Sequence, residues 1–187
     1  MRLILAALAL SLAALNPLPA AAGASKAEKQ ADVRKVAGDT LKRLFKAQPS
    51  ARKAVEGAAG YAVFSNFGMK IFVAGGGTGS GIAMDNKTKT ETFMKMVEVQ
   101  AGLGIGIKKF RVVFVFEKAS DLNDFINSGW EFGGQATAAA KVGQEGGAYQ
   151  GAISIKPGVW VYQLTDEGLA AELTGKGTKY YKDSDLN

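Results

Sequence analysis

The chain has 187 residues, and its 23 lysines and arginines exceed its 17 aspartates and glutamates, giving a formal net charge of +6. Hydrophobic residues make up 47% and charged residues 21%, which is typical of one folded globular domain. The sequence has no cysteine and no histidine, which excludes disulfides, thiolate and imidazole metal sites, and nucleophiles activated by histidine. These absences argue against most familiar enzymes, and we expect no cofactor and no metal site.

Residues 1–22 predict a signal peptide. Met1-Arg2 gives a positive start, an apolar run follows from Leu3 to Leu15, and Ala20-Ala21-Ala22 has the small residues that precede a cleavage site. The apolar run is shorter than the roughly 20 residues that a transmembrane helix needs. We expect a single mature domain, residues 23–187, without a transmembrane span. It would be exported to the periplasm or secreted, and would be able to associate with a membrane surface.

Residues 23–57 predict two amphipathic helices. Apolar residues recur at steps of three and four within Ala27–Phe45, which forms an apolar stripe on a helix. Ser25 and Glu28 have the spacing of a capping box at its start. A shorter helix is predicted at Ala51–Glu56, after a proline that ends the first.

The excess positive charge of the mature chain lies entirely in this helical segment. Residues 23–60 hold nine basic and four acidic residues, whereas residues 61–187 hold 13 of each. A basic amphipathic helix can lie on an anionic membrane surface, or it can pack its stripe on the domain and leave its charges in solvent. The sequence alone leaves both interpretations open.

Residues 58–187 predict a glycine-rich β domain with one inserted short helix at 120–126. Strands are predicted at 61–67, 71–83, 90–107, 112–116, 130–140, 148–155, 159–164, 169–173 and 179–182. The predicted fold class is α+β, in which N-terminal amphipathic helices precede a many-stranded antiparallel sheet. Such a sheet is expected to close or fold into a barrel or sandwich, because its edges must be protected.

Glycines occupy alternate positions in two of these strands, Gly75 to Gly81 and Gly102 to Gly106. This spacing places each set on one face, where a bare backbone lets another layer approach closely or lets the sheet bend tightly. Neither run contains the Gly-x-Gly-x-x-Gly spacing that binds nucleotide phosphates.

Two further groups of charged residues are ambiguous. Glu98, Glu131 and Glu145 are carboxylates that a glycosidase might pair, although outward strand positions explain the first two. Lys108-Lys109-Phe110-Arg111 is interpreted either as a solvated hairpin turn or as an extension of the basic surface. With few interleaved aromatic residues, it does not indicate a nucleic-acid partner.

Several segments resemble, in the same order, motifs of the SYLF domain family. They are Ala58–Phe64 (AAGYAVF), the Gly75–Gly81 run, Gln100–Gly106 (QAGLGIG), Phe114–Lys118 (FVFEK) and the closing Gly175–Asn187. The resemblance covers roughly Ala27 to Asn187, which is almost the whole predicted mature chain.

The resemblance implies lipid binding without catalysis. Eukaryotic SYLF proteins bind phosphoinositide membranes and associate with actin, but an exported bacterial member would not meet cytoplasmic actin. What carries over is binding to anionic, phosphoinositide-like headgroups through a basic amphipathic helix. An alternative is a structural protein of the bacterial cell envelope that binds a protein partner. The matching lipid-binding candidates in this sequence are Lys35, Lys42, Arg43, Lys46, Arg52 and Lys53.

Overall fold

The structure is a computed structural model that describes residues 24–71, 74–101, 106–132, 141–142, 147–166, 168–169 and 177–187. The predicted signal peptide lies outside these residues, as do the glycines at positions 102 and 104 and the carboxylate of Glu145.

Three α-helices form in this part of the chain, where the sequence predicts them: α1 (Lys26–Ala47), α2 (Ser50–Gly57) and α3 (Ala119–Ser128). The capping box of α1 is confirmed. The Ser25 hydroxyl accepts the Glu28 N–H at 3.2 Å, and the Glu28 carboxylate accepts the Ser25 N–H at 2.7 Å. Both contacts satisfy N–H groups that a helix start otherwise leaves unpaired.

Ten strands in the described residues form one antiparallel sheet. Their bounds are β1 (Gly60–Ile71), β2 (Ala74–Asp85), β3 (Glu91–Ala101), β4 (Gly106–Phe116), β5 (Trp130–Phe132), β6 (Lys141–Val142), β7 (Ile153–Lys156), β8 (Val159–Thr165), β9 (Gly168–Leu169) and β10 (Thr178–Lys182). The order across the sheet is β5-β10-β3-β2-β1-β4-β8-β7-β6, and β9 pairs with β8. The α+β class with a many-stranded antiparallel sheet is confirmed.

The sheet curls strongly, as ring contacts across it show. The ring of Tyr180 on β10 lies 4.8 Å from that of Phe64 on β1 and 5.0 Å from that of Phe114 on β4. β4 is the fourth strand from β10, so a flat sheet would separate these two strands by about 19 Å. The strands therefore bend into a half-barrel whose concave face holds these rings.

Helices cover both faces of the curled sheet. On the concave face, Leu122 and Phe125 of α3 pack into the aromatic cluster. On the convex face, Leu44 of α1 and Val55 of α2 pack in a second core with Val63 and other side chains of the strands. The stripe of α1 is thus packed on the sheet of its own domain.

The predicted role of the glycine run is confirmed at two positions on the concave face. Gly79 lies beside Met96, and a Cβ there would sit 2.6 Å from Met96 Cγ. At Gly81 a Cβ would overlap the Val63 carbonyl oxygen and the ring of Phe64. Absent side chains at these positions let the buried side chains fill the inside of the curl.

Three boundaries predicted from the sequence are wrong. The strand predicted at 148–155 begins only at Ile153, because residues 148–151 form a turn. The first strand does not end at Gly68 but continues to Ile71, paired with β2 throughout. Lys108–Arg111 is not a hairpin turn, since its backbone is part of β4 and pairs with residues 65–68 of β1. Residues 68–70 pair with both β2 and β4, and Lys108–Arg111 pairs with β1, and this pairing overrides the turn-like polarity of the two segments.

Candidate functional site

All six basic candidates on α1 and α2 are exposed to solvent. Those on α1 lie at Lys35, Lys42, Arg43 and Lys46, and those on α2 at Arg52 and Lys53. At 3.6 residues per turn, the four on α1 fall within an arc of about 100°. We call the surface formed by these six residues the basic face.

The buried residues of α1 lie on the opposite side of the helix. Ala37, Thr40 and Leu44 are almost fully buried against the sheet. The basic face therefore points away from the protein, while the apolar stripe is part of the core. The sequence left open whether the apolar stripe lies on a membrane or packs on its own domain. In the structure it packs on its own domain.

One aspartate in the middle of the basic face forms ion pairs with two of its lysines. Asp39 lies 3.1 Å from Lys35 Nζ and 3.4 Å from Lys42 Nζ, at spacings of four and three residues. These contacts, chiefly the hydrogen bond from Lys35, lower the pKa of Asp39. The aspartate therefore stays ionised at neutral pH and reduces the net charge of the face.

The two candidates on α2 differ in their surroundings. Arg52 pairs with Glu56 at 3.2 Å, and its guanidinium carbon lies 4.4 Å from the centre of the Phe45 ring. Lys53, like Arg43 and Lys46 of α1, has no acidic partner within ion-pair distance among the described residues. These three side chains provide the unbalanced charge of the basic face.

Contacts at its N-terminal half fix α1 in place. Arg34 Nε donates to Glu91 Oε1 at 2.7 Å, and its guanidinium lies 5.0 Å from the ring centre of Phe93. Gln30 donates to the Leu186 carbonyl and Lys26 to the Asn187 carbonyl, each at 2.7 Å. Together with the buried stripe, these contacts hold the basic face in one orientation.

Of the three carboxylates considered for hydrolysis, the two that the structure describes do not form a pair. The outward position predicted for Glu98 is wrong: it is 1% exposed and lies on the concave face beside Met96. Glu131 is exposed, as predicted, and shares the other face with Val97, because Lys179 of β10 pairs with both. Side chains on opposite faces of a sheet cannot act together on one bond.

Neither a metal cluster nor a membrane-spanning helix occurs in the part of the chain that the structure describes. No three acidic, histidine or cysteine side chains there come together as ligands for a metal ion. None of the described helices is both long and apolar enough to cross a membrane.

Comparison with known proteins assigns this fold to a family. Residues 97–187 match a family model described as "Ysc84: Las17-binding protein actin regulator". The curated protein "Beta cell expansion factor A" of Aeromonas veronii is 32% identical over 163 residues, which cover 85% of this chain and 59% of that protein. The chain belongs to the Ysc84 (SYLF) family.

The two matches cover different shares of the SYLF chain. The family model begins in β3 and runs to Asn187, so it leaves out the helices that bear the basic face. The alignment with the Aeromonas protein is longer and extends beyond that region. The chain spans about 59% of the length of that relative.

Proposed function

We propose that this SYLF protein is a non-enzymatic module that binds reversibly to anionic membrane surfaces through its basic face. The supporting observation is that Arg43, Lys46 and Lys53 are exposed and unbalanced on the side of the helices that points away from the core. Family membership supports the proposal, since it suggests a lipid-binding or actin-related module.

The proposed binding is electrostatic and shallow. Because most of the apolar stripe of α1, including Ala37 and Leu44, packs against the sheet while Val36 is partly exposed, the stripe as a whole is not available for insertion between lipids while the helix stays docked. Each lysine or arginine near an anionic surface contributes about 1 kcal/mol, and salt screens this attraction over roughly 8–10 Å. Three to six such charges give reversible, salt-sensitive adsorption to headgroups of phosphoinositide-like charge.

The proposed location is the bacterial cell envelope or the medium, on the basis of the predicted signal peptide. An exported protein would not meet the partners named in the description of the family model, so we do not extend actin regulation to this chain. The activity named for the Aeromonas relative belongs to a longer protein, and we do not extend it to this chain.

A second candidate is a structural or interaction protein of the cell envelope. The observation that favours it is the fixed orientation of the basic face, held by the Arg34–Glu91 pair and by the buried stripe. A rigid array of cations can bind an acidic protein surface as well as a membrane. The two candidates differ in whether pure lipid is sufficient for binding.

Flotation with liposomes tests the proposal. Residues 23–187 would be mixed with zwitterionic vesicles or with vesicles containing an anionic phospholipid, at low and at high salt. We expect flotation only with anionic vesicles, and we expect it to fall steeply as salt rises. Replacing Arg43, Lys46 and Lys53 together with glutamine removes the unbalanced charges, and this variant should stay at the bottom of the gradient.

A matched variant separates the basic face from net charge. Lys118, Lys179 and Lys182 are exposed and lie outside both N-terminal helices, so their replacement with glutamine removes the same charge elsewhere. This control should float like the wild type. Failure of the folded wild type to float with any vesicle would refute membrane binding and favour the envelope-partner candidate.

A further inference from the structure

A groove of about 650 Å³ lies between α1 and the convex face of the sheet. One wall is the flank of α1 that carries Asp32, Val33 and Val36, and the floor is formed by strands β1 to β4 and β10. Its volume is within the range of about 300–1,000 Å³ that is typical of small-molecule sites. Among the described residues that line the groove, none belongs to the basic face.

A row of polar side chains crosses the floor of the groove. Directly paired residues on five adjacent strands supply it, and cross-strand partners share a face of the sheet. In spatial order they are Tyr181, Lys95, Ser80, Ser65 and Arg111. The next row toward α2 is the apolar core of the convex face, so this row marks the point where packing stops and the groove begins.

The two cations in this row differ in how closely carboxylates approach them. Lys95 is held by Asp183 at 2.9 Å and by Asp185 at 2.7 Å. These hydrogen bonds, first that of Asp185, raise the pKa of Lys95 and keep it charged. Its charge is thus already balanced by two carboxylates, and it is not the group that would attract an additional anion.

Arg111 is the cation that has a hydrogen-bond donor without a partner among the described residues. Its Nη1 atom is buried and has no hydrogen-bond partner among the described residues. The carboxylate of Asp166 lies 3.8 Å away and is 72% exposed, so the pair is long and weak. The Arg111 side chain as a whole is 21% exposed and lines the groove, so an anionic oxygen there can reach the exposed part of the guanidinium and accept a charge-assisted hydrogen bond.

The groove also exposes apolar surface. Val36 is 40% exposed and Val97 is 36% exposed, and they are the exposed large hydrophobic residues of the described chain. Both line the groove, Val36 on the wall formed by α1 and Val97 on the floor formed by the strands. Apolar walls beside one unsatisfied cation match the chemistry of an amphiphile with an anionic head and a hydrocarbon tail.

We propose that this groove binds one long-chain fatty acid. The carboxylate pairs with the guanidinium of Arg111, within reach of the Ser65 hydroxyl on the neighbouring strand, and the alkyl chain lies against Val36 and Val97. A monoanion fits because, of the two cations that the structure describes in the groove, Lys95 is held by two carboxylates and only Arg111, with its long contact to Asp166, is left for a carboxylate. The inference does not rest on the proposed membrane binding, which uses other residues.

Displacement of a fluorescent fatty acid tests the groove. A dansyl-labelled undecanoic acid would be titrated into residues 23–187 and then competed with palmitate, with uncharged cetyl alcohol of the same chain length, or with acetate. We expect palmitate alone to displace the probe at micromolar concentration. Arg111→Gln should weaken binding about tenfold or more, the usual effect of losing a charge-assisted hydrogen bond.

Two further variants keep the test independent of folding. Val36→Glu places a negative charge on the groove wall at a partly exposed helix position, and it should weaken palmitate binding without loss of structure. Arg52→Gln removes an arginine outside the groove and should bind palmitate normally, as should the triple glutamine variant of Arg43, Lys46 and Lys53. Equal competition by cetyl alcohol, or unchanged binding in both groove variants, would overturn the proposal.

Discussion

At the scale of single residues, one aspartate in α1 lowers the net positive charge of the basic face. Asp39 pairs with both Lys35 and Lys42, so Asp39→Asn should leave these lysines free to contact lipid. If one more effective charge contributes about 1 kcal/mol, affinity for anionic vesicles should rise about fivefold at low salt. Titration of the protein with vesicles of fixed composition measures this gain.

The control for this prediction is an acid removed elsewhere. Glu131 is exposed on β5, and Glu131→Gln changes the net charge by the same amount without touching α1 or α2. An equal gain in the two variants would mean that net charge alone governs binding. No gain in Asp39→Asn would mean that Lys35 and Lys42 do not contact the membrane.

The sequence identified the exposed cations, but not which of them form ion pairs with acidic residues. All six candidates proved to be exposed, because polar residues opposite an apolar helical stripe face solvent. The spacing of Asp39 from Lys35 and Lys42 was a visible signal of pairing. Arg111 could not be recognised, since its place in the groove depends on pairing with Ser65, a residue 46 positions away in the chain.

At the scale of elements, the bare face of β2 determines how the concave core packs. A Cβ at Gly81 would overlap backbone and ring atoms of Val63 and Phe64, so Gly81→Ala should lower the free energy of unfolding by about 1–3 kcal/mol. Gly38 in α1 is the matched control, because nothing lies within 4 Å of its Cβ position. Gly38→Ala should raise stability by about 0.5–1 kcal/mol.

Urea denaturation of the two alanine variants compares these effects directly. Opposite signs would confirm that the packing of Val63 and Phe64 of β1 beside Gly81, and not glycine content in general, requires the bare backbone. If Gly81→Ala lowered the free energy of unfolding by less than about 0.5 kcal/mol, the ring of Phe64 would move aside at little cost. The packing around Gly81 would then not be tight.

Strand β3 shows why alternation alone did not identify the buried face. The sequence pattern favoured the face with Phe93 and Val97, yet Val97 is partly exposed, whereas Met94 and Met96 on the other face are fully buried. Helices cover both faces of the sheet, so each face needs apolar residues. An antiparallel sheet of many strands followed from the pattern, but the assignment of faces depended on where α1 and α3 pack.

At the scale of the whole molecule, the structure joins the helical segment and the β domain in one core. Side chains of α1 and α2 pack with strand residues as far along the chain as Tyr162 and Leu164. The predicted division into a helical segment and a glycine-rich β domain therefore describes composition, while the convex core belongs to both. A membrane-bound state that released α1 would have to expose this core.

Two apolar truncations on α1 test whether the helix is part of the folded core or a detachable anchor. Leu44 is fully buried and Val36 is largely outside the core. Leu44→Ala should therefore cost about 2–5 kcal/mol of unfolding free energy, while Val36→Ala should change it by no more than about 0.5 kcal/mol. Chemical denaturation monitored by circular dichroism gives both values. If Leu44→Ala left stability intact but abolished flotation, α1 would act by inserting its stripe into lipid, and the electrostatic mode proposed for the docked helix would be wrong.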